Sequence, residues 1–575
     1  MNYMIKQYSE FLNYSFFLVF LYVVVSCNST TNTIEPSDNK LYNGIILPDQ
    51  WPPRYKIPES AEAMPVPYLV TPPKVISIDV GRQLFVDDFL IEENTLNRTF
   101  HYPTFHENNP VLQSDKSWEK TVKGAPYASP FSDGVWYDEK EQKFKMWYLA
   151  GGGDLFDEAQ SFVTCYAESE DGINWVKPIF DIVPGTNVVE KSWRDSNTLW
   201  LDKLEEDANK RYKLFNVQFF EADRRWRFVL KYSADGINWS EGVAQSGDIY
   251  DRSTAFYNPF RSIWALGTRI GSPSGRARAY VEHKDPETAI TLAHRIFKGG
   301  MDKHNVFWFG AWDNEVRNPD FPEVQPGIYN HDAIAYESLM LGFFNVWQGP
   351  ENNVCDSLGI QKRNELLLGY SRDGFHWDRP DMTRFMGVSG NTDGNWNDGN
   401  MQSVNGAPLI VGDSLYFYSS GRKTNKVMWD SYSSTGMAKL RRDGFASLDA
   451  TETEGFIVSR KITFNGNHLF VNADASKGQL LAELLDENGN VVKGYSKEDC
   501  IPVAENGTKI NVLWKGNKQL KNFSTPVKVK FYLTNSSLYS FSVAEYKTGE
   551  SGGYTAGGGP GLNPSGRDMP LLTNE

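Results

Sequence analysis

Cysteine, histidine and positive charge are all scarce in this chain, and each scarcity excludes something. There are four cysteines and eight histidines in 575 residues. With Cys27 set aside, Cys165, Cys355 and Cys500 are too widely spaced for a disulfide framework or a CxxC metal site. The histidines show no HExxH or other ligand spacing, so no metal and no other cofactor is expected. A net charge of −14 leaves no basic stripe, which argues against a nucleic-acid partner. Helical heptads are also missing, whereas Gly (48), Pro (29) and aromatic residues (14%) are plentiful. That composition implies an all-β chain of short strands and punctuated turns, and the length calls for at least two domains.

Long apolar runs are confined to the N-terminus. "FLNYSFFLVFLYVVVSC" ends at Cys27 and is short for a membrane span. Its last residues, "VVSC", resemble the lipobox of bacterial lipoproteins. The resemblance implies a signal peptide over 1–27, lipidation of Cys27, and an exported chain held at a bacterial membrane or cell surface by its lipid alone. Residues 28–74, opening with "NSTTNTIEPSDNK", read as a polar tether and linker.

What the chain does have is a repeat. "SEDGINW" (169–175), "SADGINW" (233–239) and "SRDGFHW" (371–377) share the spelling SxDGxxW. Their aspartates, Asp171, Asp235 and Asp373, are 64 and then 138 residues apart, so a degenerate copy is expected near Asp302 and a further one at Asp443-Gly444. Five marks at a period of about 60–70 residues, each preceded by alternating runs, predict five units of four short strands. In each copy Asp and Ser can accept from turn N–H groups, Gly tolerates positive φ, and Trp packs between units. The motif thus reads as structural.

The SxDGxxW spelling, "GRQLFVDDFLIE", "FHENNPVLQSDKSWE", "WRDSNTLWLD" and "KLRRDGFASL" together resemble the five-bladed β-propeller glycoside hydrolases, relatives of families 32, 43 and 68. The resemblance covers about residues 75–450. It implies a five-bladed propeller catalytic domain over 75–449 that cleaves glycosidic bonds of an oligo- or polysaccharide, with furanosides the favoured class. Beyond it, 450–546 alternates like a β-sandwich, and the Gly- and Pro-rich 547–575 reads as a disordered tail.

Glycosidic cleavage needs one carboxyl to protonate the leaving oxygen and another to act as base or nucleophile. Asp133, Asp195, Asp251 and Asp332 each fall just before, or at the start of, an aligned inner strand. Arg194-Asp195 carries the most weight, because in the related hydrolases an Asp at this place binds sugar hydroxyls. Asp251-Arg252 repeats the pair in reverse. Asp133 is the expected base or nucleophile, with Asp87 and Asp88 as rivals. Glu337, in the apolar "HDAIAYESLML", is the expected acid, with Glu282 and Glu221 as alternatives. Arg194, Arg252, Trp396, Asp398 and Asn400 are the expected substrate-binding residues. Two other readings stand beside the hydrolase. One is a carbohydrate-binding lipoprotein without chemistry. The other is a phosphorolytic enzyme using Arg194, Arg252, Arg276 and Arg278.

Overall fold

The computed structural model describes residues 39–153, 155, 162–296, 301–390, 394–424, 432–516, 519–521 and 523–571. Cys27, the apolar run and residues 28–38 of the expected tether lie outside the described residues. The described chain is all-β, with three short helices of four to seven residues.

Five antiparallel sheets follow one another along the chain. The first runs from Ala128–Ser129 and Val135–Asp138 through Lys143–Ala150 and Val163–Ser169 to Val188–Glu190. The second is Arg194–Leu201, Tyr212–Phe220, Arg225–Ser233 and Ala244–Gln245. Thr254–Asn258, Ile263–Ser272, Gly275–His283 and Val306–Phe309 form the third. Gly327–Glu337, Leu339–Trp347 and Asn364–Ser371 form the fourth. In the fifth, Asn400–Gln402 and Leu409–Val411 pair with Ser414–Lys423, which pairs with Tyr432–Arg441. Its outer strand, Thr104–Phe105, comes from before the first sheet, so the start of the chain closes the end. Central strands such as Lys143–Ala150 are buried almost throughout, Lys145 included, whose ammonium lies 3.1 Å from Asp138.

In every sheet the strand that follows the long central one ends on the first residue of the repeated motif or its equivalent: Ser169, Ser233, His283, Ser371 and Arg441. This moves the degenerate copy. Asp302 does accept from the His304 and Asn305 N–H groups at 2.7 Å, but it lies well past the third strand. The residue in register is Asp285, where Pro286 replaces Gly and the aspartate caps a helix by accepting from Thr288 N–H at 2.7 Å. Spacing alone misplaced it because loop lengths differ between sheets.

In the full copies the turn is self-capped. Asp235 Oδ1 accepts from Ile237 and Asn238 N–H at 2.8 Å, and Ser233 Oγ from Gly236 N–H at 2.9 Å. The freed carbonyl then binds the preceding sheet. Trp147 Nε1 of the first sheet donates to Gly236 O of the second at 2.7 Å. Trp308 Nε1 of the third donates to Phe375 O of the fourth at 2.8 Å. Tyr418 Oη of the fifth donates to Gly172 O of the first at 2.7 Å.

Two larger sheets follow, beside a parallel two-stranded pair of Ile76–Ser77 with Ile462–Thr463. One holds Asn506–Asn511, His468–Asp474, Ser536–Ala544, Ala446–Ala450 and Asn97–Phe100, with Gln83–Leu84 also on Ser536–Ala544. The other holds Ile91–Asn94, Gly455–Ser459, Lys528–Thr534 and Gln479–Leu485. They share one core, in which Phe531 and Phe541 meet at 5.5 Å. Strands before residue 101 therefore belong with the C-terminal sheets, and not with the 75–449 segment to which the sequence assigned them.

Both segments expected to lack structure are packed where described. In the tether and linker, Leu41, Met64 and Tyr68 are buried, and Asn43 Nδ2 donates to Arg372 O at 3.0 Å. In the tail, Gly557 O accepts from Tyr137 N–H at 2.9 Å, and Gly558 O from Ile410 N–H at 2.8 Å. Tyr554–Thr555 adds a strand to Gly327–Glu337, and Tyr554 packs on Phe260 at 5.0 Å. The tail is glycine-rich because backbones touch there. A Cβ on Gly557 would lie 1.9 Å from Gly406 O, and one on Gly559 1.7 Å from Ile410 O.

A Cβ on Gly236 would sit 2.5 Å from the Trp147 ring at φ +78°, whereas Gly185, at φ +79°, has open space around it. Gly185→Ala should therefore cost about 1 kcal/mol of backbone strain. Gly236→Ala should cost at least about 1 kcal/mol more through the displaced indole. Equal shifts of the two denaturation midpoints would refute this account of the motif.

Candidate active site

The inner strands of several sheets begin around one cleft of about 380 Å³. Arg194 and Asp195 open the second sheet's first strand, and a register shift between Arg194 and Asn197 interrupts the ladder there. Asp251 and Arg252 precede the third sheet's first strand, and Tyr329 lies near the start of the fourth's. All five line the cleft, as do Arg276, Lys362, Arg422, Lys123 and the aromatic residues Tyr127, Phe162, Trp193 and Trp226.

Sequence neighbours do not pair here. Arg194 is fully buried and grips Asp133, with Nη1–Oδ1 2.6 Å and Nη2–Oδ2 2.8 Å, while Asn197 Nδ2 donates to Asp133 at 3.0 Å. Asp195 instead takes Arg252: its Oδ2 accepts from Arg252 N–H at 3.0 Å and lies 3.3 Å from Nε. Arg252 stands at φ +58°, a backbone strain that aims its N–H at that carboxylate. Asp251 pairs with Arg269. Burial works against ionisation of Asp251, but Arg269, Arg252 and Arg276 together hold its carboxyl below the usual range.

Asp133, expected as base or nucleophile, is sealed from the cleft beneath Arg194. Burial raises its pKa against the pull of Arg194. It positions Arg194 and touches no ligand space. Asp87 is equally sealed, gripped by Arg372 at 2.8 Å, and Asp88 pairs with Arg98 far along the chain from the cleft residues.

Glu337, the expected acid, does not line the cleft. It is fully buried at the other end of its strand, accepting from Ser551 Oγ at 2.6 Å and pairing with Arg442 at 3.2 Å and Arg82 at 3.7 Å. Burial raises its pKa despite those arginines. It joins the fourth sheet to the tail. Glu282 is held by Arg261 at 2.6 and 2.7 Å and by Tyr280, and Glu221 sits in an exposed turn. Asp332 is buried beside Ser132, Asn330 and Ser403, with its pKa pushed up to about 6 by burial.

The Trp396 group is structural as well. The indole fills the space over Gly421 and Gly436, where added Cβ atoms would lie 2.1 and 2.0 Å from it. Asp398 accepts from the Thr424 and Gly394 N–H groups, and Asn400 Nδ2 donates to Lys362 O at 2.8 Å. Trp396 borders a separate outer groove, with Phe105 and Phe385. Arg278 lies beneath the cleft, donating to Arg252 O at 2.6 Å.

Sequence reasoning passed over Tyr329, although it stands three residues before Asp332 in a strand already aligned. Burial would raise its pKa, but Arg252, Lys362 and Arg276 together pull it down to about 7. Lys362 Nζ donates to its hydroxyl at 3.0 Å, and the Arg252 and Arg276 guanidinium carbons lie 5.1 and 4.8 Å from its ring centre. Among the described residues no cluster of three or more His, Cys, Asp or Glu is placed to hold a metal ion.

No family model matches the chain, and no curated protein matches it. Solved structures do. The chain is similar to an N-acetylgalactosamine deacetylase from F. plautii in complex with blood group B trisaccharide. The identity is 13%, over 58% of this chain and 97% of that one, with a TM-score of 0.36. It is similar to a fructofuranosidase from Schwanniomyces occidentalis complexed with fructosylnystose at 10% identity, over 76% and 96% of the two chains, TM-score 0.35. A glycosyl hydrolase from Bacteroides ovatus matches at 12% identity, over 59% and 94%, TM-score 0.36.

Two measurements test these placements. Glu337→Gln should destabilise the fold by about 1–3 kcal/mol, the cost of breaking a buried charged hydrogen-bond set, and leave ligand affinity at the cleft unchanged. Ultraviolet titration should show one tyrosinate forming near pH 7 in the wild type and absent in Tyr329→Phe. Because this folded-state pKa lies below the ordinary 10.0, the group's contribution to stability is full above pH 10 and is lost as pH falls through about 7.

Proposed function

We propose that the protein is a glycosidase acting on an oligo- or polysaccharide, built on a five-bladed β-propeller followed by a β-sandwich. The observation that carries the reading is the pair Asp195 and Asp251, brought from successive sheets to one cleft walled by Trp193, Trp226, Tyr127 and Phe162. Aromatic faces stack on sugar rings, and carboxylates oppose the positive charge that develops at the anomeric carbon. Asp251, held ionised by Arg269, Arg252 and Arg276, suits the base or charge-stabilising role. Asp195, tied to Arg252 at 3.3 Å, suits binding of sugar hydroxyls beside it. The group facing the cleft that exchanges a proton near neutrality is Tyr329, at about 7, and it takes the place proposed for the acid. The N-terminal "VVSC" supports export and lipid anchoring at Cys27, and with them a bacterial cell-surface role for this activity.

One observation favours a binding protein instead: among the described residues both cleft carboxylates are arginine-paired and no glutamate lines the cleft. Asp195→Asn separates the two. In a glycosidase it should lower turnover by roughly 10²–10⁴ while glycan retention persists in part. Sugar release that is absent in wild type and mutant alike, with glycan retention intact, would remove the enzymatic reading.

A further inference from the structure

The cleft is basic in an acidic protein. Arg194 is cancelled by Asp133 and Asp251 by Arg269. Among the described residues that leaves Lys123, Arg252, Arg276, Lys362 and Arg422 facing Asp195 and the Tyr329 hydroxyl. The surplus persists even with Tyr329 ionised.

Two of these cations are fixed in place with hydrogen-bonding capacity unspent. The Arg252 guanidinium carbon lies between two rings, 3.9 Å from the centre of Phe131 and 5.1 Å from that of Tyr329. Arg276 lies over the same Tyr329 ring at 4.8 Å. The Arg252 side chain is 11% exposed in the cleft wall, and its Nη1 and the Arg276 Nη1 are buried with no hydrogen-bond partner among the described residues. A buried guanidinium N–H left unpaired is costly, and evolution of a merely structural arginine would have supplied an acceptor. Elsewhere in this protein terminal guanidinium nitrogens are met, as where Arg372 grips Asp87, Arg379 grips Glu315 and Arg194 grips Asp133, each through two nitrogens. Among the described residues, the unpaired buried nitrogens of Arg278, Arg379 and Arg442 are Nε atoms.

We propose that Arg252 and Arg276, backed by Lys362, form a binding site for a compact oxyanion carried on the glycan, a sugar carboxylate or a sulfate ester. A planar guanidinium pair matches such a group through parallel N–H···O bonds. Trp193 and Trp226 in the same cleft would take the sugar ring that bears it. This deepens the glycan reading above, on which it rests, by naming the class of sugar. Asp195 keeps a neutral hydroxyl partner, while the unpaired N–H groups select the charge.

Calorimetry tests it without turnover. The probes are glucuronate-bearing and sulfated oligosaccharides, their neutral counterparts, and inorganic phosphate. The acidic glycans should bind at least about tenfold tighter than the neutral ones, and Arg276→Gln should remove that preference, a loss of about 10–100-fold. Arg276→Lys should restore part of it, and neutral-glycan affinity should fall by less than acidic-glycan affinity. Phosphate binding tighter than any acidic glycan, lost in the same variant, would assign the oxyanion to a free phosphate and overturn the glycan-borne source. Equal binding of acidic and neutral glycans, with no phosphate binding, would overturn the site altogether. Acidic glycans bound but never cleaved would remove the glycosidase reading and leave the site standing. Neutral glycans cleaved as well by Arg276→Gln as by wild type, with no acidic preference, would do the reverse.

Discussion

A few hydrogen bonds between neighbouring sheets hold this architecture to its order. Each full motif turns its backbone so that Asp and Ser side chains satisfy the local N–H groups, which frees one carbonyl to face outward. An indole or phenol of the sheet before takes that carbonyl: Trp147 on Gly236, Trp308 on Phe375, Tyr418 on Gly172. The last of these crosses from the fifth sheet to the first, where Thr104–Phe105 also pairs with the fifth. Both ring edge and peptide are buried, so each bond left unmade would cost more than it contributes when made. The sheets are thereby fixed side by side, and the cleft at the start of their inner strands inherits that rigidity.

The cleft shows what rigidity permits. Arg252 is held in a strained left-handed backbone conformation, set between two rings, with part of its donor set unused. Such a group persists in a folded protein when its surroundings over-determine it. Tyr329 answers to the same field: three cations around one phenol draw its ionisation to neutral pH. Proton exchange and anion attraction thus share one cause, the concentration of positive charge in a protein whose net charge is −14.

Composition misled where packing decides. Glycine in 547–571 looked like disorder, because glycine frees an unpacked chain. The same residue also lets backbones approach within contact, and Gly557 and Gly559 are used that way. Glu337 looked like an acid because a carboxyl in an apolar strand is expensive unless it works. Its cost is offset by Arg82 and Arg442, which lie 255 residues before and 105 residues after it in the chain. Trp396 looked like a sugar platform, yet two glycines on the adjacent strands leave a slot that its ring fills.

The sequence by itself determined the all-β character, the repeated turn and the ends of the three strands that carry the full motif. These rest on local chemistry: an aspartate, a serine and a glycine within four residues suffice to cap a turn. It also marked Arg194, Asp195, Asp251 and Arg252 as charged residues at strand starts. Only the tertiary structure decided who pairs with whom. Adjacent residues on an extended strand point to opposite faces, so Arg194 turns from Asp195 to Asp133, and Asp195 takes an arginine from the next sheet. The copy at Asp285, the unspent N–H groups of Arg252 and Arg276 and the lowered pKa of Tyr329 arise the same way, from loops and charges that meet only after the sheets are assembled.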